Sequence, residues 1–235
     1  MLKKNIFIVL LLLFWVRTQA QEDNSVFQFL KLPFSSHAAA LGGENISIIE
    51  DDLTMAVHNP ALLSCVADKT LNLNYTLYIA GVNAASAAFS RVLGDRSTWA
   101  VTAQFVNYGN IITGTFSAND MAFSGIYSYD LSDYWSGGVK ANLIYSNYDK
   151  FSSFAIGVDL GLNYYHQNSD FSFSMVARNL GGQIVAFEDK REKLPVDVQV
   201  GITKRLSHAP FRISATLYNL TDWKNSKFFD HAVIG

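Results

Sequence analysis

From Leu71 onward, apolar and polar residues alternate with a period of two, the spacing of a β-strand that presents a different environment on each face. Phe154, Ile156, Val158, Leu160, Leu162 and Tyr164 interleave with Ala155, Gly157, Asp159, Gly161, Asn163 and Tyr165. That run exceeds the ~5–6 residues usual for a strand in a soluble domain. The same pattern covers 135–145, 171–177, 196–202 and 211–217, with less regular versions over 71–80, 84–92, 98–108 and 120–130. Turn chemistry separates the runs, at Leu93-Gly94-Asp95, Asn107-Tyr108-Gly109-Asn110, Asp130-Leu131-Ser132-Asp133 and Asn147-Tyr148-Asp149-Lys150. The spacing predicts nine strands and the start of a tenth at His231.

Two architectures produce this alternation: a soluble antiparallel sandwich with its apolar face inward, and an outer-membrane barrel with its apolar face toward lipid. The polar face separates them. In the clearest strands it consists of Ser, Gly, Asn, Thr and Ala, where a soluble protein would place Lys and Glu. The charges inside those strands, Lys140, Asp159, Arg178, Asp197 and Arg212, all fall opposite the apolar stripe and are candidates for a charged patch in a barrel lumen. Composition agrees. Asp, Glu, Lys and Arg make up 16% of the chain, against roughly 25% in ordinary soluble proteins, while aromatic residues reach 14%. Tyr127, Tyr129, Tyr134, Trp135, Tyr145, Tyr148 and Phe151 gather at strand ends, as an interfacial girdle does. The balance favours an all-β, antiparallel transmembrane β-barrel over residues 71–235. With 18 Lys and Arg against 20 Asp and Glu, the chain lacks the basic footprint of a nucleic-acid binder.

The N-terminal third differs. Lys3 and Lys4, an apolar run ending at Val16, and Thr18-Gln19-Ala20 read as a secretory signal peptide over 1–20, too short to span a bilayer as a helix. Residues 21–65 carry small residues, a Gly42-Gly43 turn, the acidic run Glu50-Asp51-Asp52 and a short helical stretch that Asp51 or Asp52 can cap. Such a segment ahead of a barrel is either a hatch for its lumen or a periplasmic extension, and the pattern leaves both open. Catalytic signatures such as G-x-S-x-G, H-E-x-x-H, the P-loop and C-x-x-C do not occur in the sequence. His37, His58, His166, His208 and His231 are dispersed, so neither an enzyme nor a metal or cofactor site is expected.

His58-Asn59-Pro60-Ala61-Leu62-Leu63, preceded by Asp51-Asp52-Leu53 and by Ala38-Ala39-Ala40-Leu41-Gly42-Gly43, resembles the N-terminal signature of the FadL-like outer-membrane barrels. Phe29-Leu30-Lys31-Leu32-Pro33 together with the Ala-Ala-Leu-Gly-Gly segment is similar to the PorV/PorQ group of that family, and most of all to its PorQ branch. The resemblance implies a fourteen-stranded barrel with an N-terminal hatch built around Asp51, Asp52, Asn59, Pro60 and Ala61. It further implies a component of the Bacteroidetes type IX secretion system in the outer membrane, working with a surface protein of PorZ type and the PorU/PorV sortase complex that joins cargo to anionic lipopolysaccharide. A FadL-like conduit for long-chain fatty acids is the alternative. The charged loop Glu188, Asp189, Lys190, Arg191, Glu192 and Lys193 is the candidate partner surface. Ten strands fall short of fourteen, so the expectation is a truncated fragment or a naturally short barrel.

Overall fold

The alternation beyond Leu71 is realised as ten strands: β1 (Leu71–Leu77), β2 (Asn83–Leu93), β3 (Ser97–Ile111), β4 (Phe116–Asp130), β5 (Trp135–Tyr148), β6 (Phe151–His166), β7 (Phe171–Val185), β8 (Asp197–Arg205), β9 (Arg212–Leu217) and β10 (Ala232–Ile234). The computed structural model describes residues 26–78, 81–111, 116–187, 191–206, 209–221 and 228–235. The signal-peptide reading at 1–20 and the loop residues Glu188, Asp189 and Lys190 lie outside the described residues. Each strand pairs antiparallel with the next in sequence, giving one ten-stranded meander. Its central strands, β3 to β7, are 14 to 16 residues long.

The two faces of the meander are inverted relative to a soluble sheet. On β5, Lys140, Asn142, Ile144 and Ser146 are buried, while Val139, Leu143 and Tyr145 on the opposite face are exposed, Leu143 by 50%. On β6, Ser153, Asp159 and Asn163 are buried while Ile156 and Leu160 are exposed, Leu160 by 46%. The inward-facing residues are buried because residues 26–66 fill the concave side. This hatch comprises a 3-10 turn (Gln28–Lys31), helix α1 (Ser36–Ala40), helix α2 (Leu53–His58) and a second 3-10 turn (Pro60–Cys65). Phe34, Leu53, Ala56, Val57, Leu63 and Val66 cluster with Ala88 on β2, Ala100 on β3 and Ile126 on β4. Phe27 and Phe29 cluster with Val106, Ala122, Ile144 and Ala155. Small inward side chains on the strands leave the room that the hatch's larger ones occupy.

Contacts across the hatch require the sheet to curl. Glu50 pairs with Arg212 on β9, and Leu53, three residues on, joins the cluster with β2, β3 and β4. In a flat sheet β2 and β9 would lie roughly 34 Å apart at ~4.8 Å per strand, far beyond what three residues span. The strands therefore wrap around the hatch. Among the described residues no ladder joins β10 to β1, so the sheet is open, with ten strands where the resemblance implies fourteen in a closed barrel.

Candidate site at the interface of hatch and sheet

The acidic run divides its work between two neighbours. Asp52 caps α2, its Oδ1 accepting from the Thr54 backbone N–H at 2.8 Å and its Oδ2 lying 2.6 Å from His37 Nδ1. Partial burial acts against the charge of this carboxylate, but the bonds from His37 and Thr54 outweigh it and hold the group below its ordinary value. Asp51 is exposed and accepts from the Ala67 backbone N–H at 2.8 Å, tying the end of the hatch to the start of β1. Asn59, fully buried, caps the second 3-10 turn by accepting from Ala61 N–H at 3.0 Å, and its Nδ2 donates to the Ile46 carbonyl at 2.8 Å. Pro60 starts that turn, where a missing N–H costs nothing.

The Asn59-Pro60-Ala61 turn sits in a notch made by two glycines. Gly138 on β5 and Gly161 on β6 are cross-strand partners on the inner face. A Cβ on Gly138 would lie 2.2 Å from the Pro60 carbonyl carbon, and one on Gly161 would lie 2.2 Å from Asn59 Oδ1. Backbone approaches backbone here as only glycine permits.

The structure brings four of the five candidate lumen charges into one region. Lys140 and Asp159 are cross-strand partners, 7% and 1% exposed, with Nζ 3.0 Å from Oδ2. Lys140 also donates to the Val57 carbonyl at 3.1 Å, so the wall holds the C-terminal end of α2. Asp159 Oδ1 accepts from Asn142 Nδ2 at 3.1 Å and from the Asn179 N–H at 2.7 Å. Arg178 and Asp197 also face each other in register, yet Arg178 turns to the hatch, donating to Glu44 Oε2 at 3.1 Å and to the Leu30 carbonyl at 3.2 Å. Asp197 accepts from Gln199 at 2.6 Å. Arg212 stands apart from these four and bonds Glu50 of the hatch. Burial raises the Glu44 carboxyl above its ordinary value, with Arg178 and Gln199 acting in the opposite direction.

Glu44 as the partner of Arg178, the pairing of Glu50 from the acidic run with Arg212, and the seat formed by Gly138 and Gly161 were not expected from the sequence. Nor was Asp120 on β4, a buried carboxylate that accepts from Tyr108 Oη at 2.7 Å, from Tyr148 Oη at 3.0 Å and from the Ser146 hydroxyl. His58, first residue of the Asn-Pro-Ala motif segment and one of the dispersed histidines, is 2% exposed, and no role was expected for it. Period two marks Asp120 as facing the same side as Ser124 and could have found it; nothing in the hatch's own pattern identifies Glu44 as a partner of β7.

At the opposite end from the hatch's entry into β1, the described part of the candidate partner loop, residues 191–193, runs back along the wall. Glu192 N–H donates to Gln183 at 2.7 Å, Val26 N–H donates to the Lys193 carbonyl at 3.2 Å, and Leu194 is buried. Arg191, Glu192 and Lys193 remain exposed. No protein-family model matches the chain, and no curated protein matches it either.

Proposed function

We propose that this chain is a hatch-bearing outer-membrane barrel that acts as a non-catalytic anchor for a cell-surface protein complex. The observation that carries the membrane reading is the inversion of the sheet: apolar side chains outward, hydrogen-bonded polar ones inward. Leu71, Leu73, Leu77, Phe123, Leu143, Leu160 and Ile213 are exposed on the outer face, and apolar surface of this kind is rare on monomers in water and supports contact with lipid. Two aromatic groups border it. Tyr127, Tyr129, Tyr134 and Trp135 are exposed near the β4–β5 turn, and Tyr75, Tyr145 and Phe151 near the opposite end. Trp135 and Tyr145 are ten residues apart on β5, about 33 Å along a strand, or about 25 Å across a bilayer at the ~40° tilt usual in such barrels.

A filled lumen supports the anchor over a conduit. The hatch packs apolar clusters and ion pairs against the inner face; where α2 meets the wall the cavity is about 20 Å³, and a wider one of about 300 Å³ lies beside Ser64, Cys65 and Ser136 at the end of the sheet where β1 begins. The specific role, in type IX secretion beside a PorZ-type partner and the PorU/PorV complex, rests on the resemblance in residues 29–63. Deletion of the gene separates the readings. Loss of processing of cargo bearing a C-terminal secretion signal, with normal fatty-acid uptake, is expected; lost uptake with normal processing would favour the FadL-like conduit.

A further inference from the structure

The enclosed cavity lies where α2 meets the wall, lined by Leu30, Leu32, Phe34, Val57 and His58 from the hatch and by Thr102, Gln104, Ser124, Lys140, Asn142 and Arg178 from the sheet. A cavity that admits water-sized occupants and is lined by polar groups is filled in solution, because unpaired buried polar groups are costly. Here the unpaired groups are specific. Among the described residues, neither ring nitrogen of His58 has a hydrogen-bond partner, nor does Arg178 Nε. Lys140 directs two contacts at Val57 O and Asp159, which leaves one of its three N–H groups.

These groups are donors or can become donors. The described lining residues include Lys140 and Arg178 and no carboxylate. Asp159 and Glu44 balance the two cations from outside the cavity lining. The field at the imidazole is accordingly positive. Burial, followed by the charges of Arg178 and Lys140, holds His58 well below its ordinary value, with Asp159 acting in the opposite direction. A small anion accepts from Lys140, from Arg178 Nε and from a protonated His58 together, which matches the donors left over once those pairs are made.

We propose that this cavity binds one monovalent anion of halide size, contacted by His58, Lys140 and Arg178, and that its entry brings a proton onto His58 so that the interior gains no net charge. The anion joins α2 to β5 and β7, and hatch retention then depends on anion concentration and pH. The groups facing His58 are Lys140 on β5, Asp159 on β6 and Arg178 on β7, with Glu44 behind Arg178. This site is independent of the secretion role and of the membrane reading.

The probe is bromide on the purified full chain. Unfolding midpoints in sodium bromide and in sodium gluconate at equal ionic strength are compared at pH about 5.5 and about 7.5, either side of the ordinary imidazole value. Without the anion, a histidine kept neutral in the fold loses stability as pH falls below that value, because only the unfolded chain takes up the proton. Bromide is expected to raise the midpoint by several degrees at the lower pH and by less at the higher, with an anomalous peak in the cavity of bromide-soaked crystals. His58→Phe is expected to abolish the bromide effect, and His58→Gln, which retains a polar group but accepts no proton, to abolish its pH dependence. Water without anomalous signal in the cavity, a bromide effect equal in both variants (an adventitious ion only), or one independent of pH overturns the proposal.

Discussion

Lys140 shows how one side chain can serve both sheet and hatch. It pairs with Asp159 across β5 and β6 and holds the last turn of α2 through the Val57 carbonyl. Lys140→Met leaves Asp159 buried with only Asn142 and the Asn179 N–H as partners. The expected cost is about 3–5 kcal/mol, the range for an uncompensated buried charge. Lys140→Met combined with Asp159→Asn should recover much of it, measured by urea unfolding of the refolded chain; equal losses in the single and double variants would contradict the pairing. Period two was enough to place Lys140, Asp159, Arg178 and Asp197 on the inner face from the sequence. It could not reveal that Arg178 prefers Glu44 to its register partner Asp197, because that choice depends on where a non-periodic segment lies.

Among the elements, the hatch owes its position to the shape of two strands as much as to its own residues. Asn59-Pro60-Ala61 was legible as a motif, and the Asp52 cap was legible as one of two candidate positions. The seat was not, because Gly138 and Gly161 are 23 positions apart and become a notch only when β5 and β6 align in register. Gly138→Ala is expected to cost about 1–3 kcal/mol, the usual penalty for overpacking, and to expose the hatch to limited proteolysis. Gly125→Ala on β4, where an added Cβ meets nothing within 4 Å, is the matched control and should change stability by less than about 0.5 kcal/mol. Equal effects at both positions would mean that the turn does not rest on the notch.

At the scale of the whole molecule, the sheet encloses a polar, hydrogen-bonded interior and presents its apolar residues outward. The strands with a regular period were readable in advance, whereas the turn expected at Asn107–Asn110 lies within β3, where the ladder to β4 shifts register between Asn107 and Asn110. The curl was expected with the barrel, but the contacts that show it, the hatch bridging β9 and β2 through Glu50 and Leu53, were not. The central claim is that the outward face meets lipid, and spin labels on β5 and β6 test it most directly. With labels at Leu143 and Leu160 in the reconstituted protein, collisions with oxygen should be frequent and collisions with a water-soluble nickel complex rare. Frequent collisions with the nickel complex at both positions would place that face in water and contradict the account.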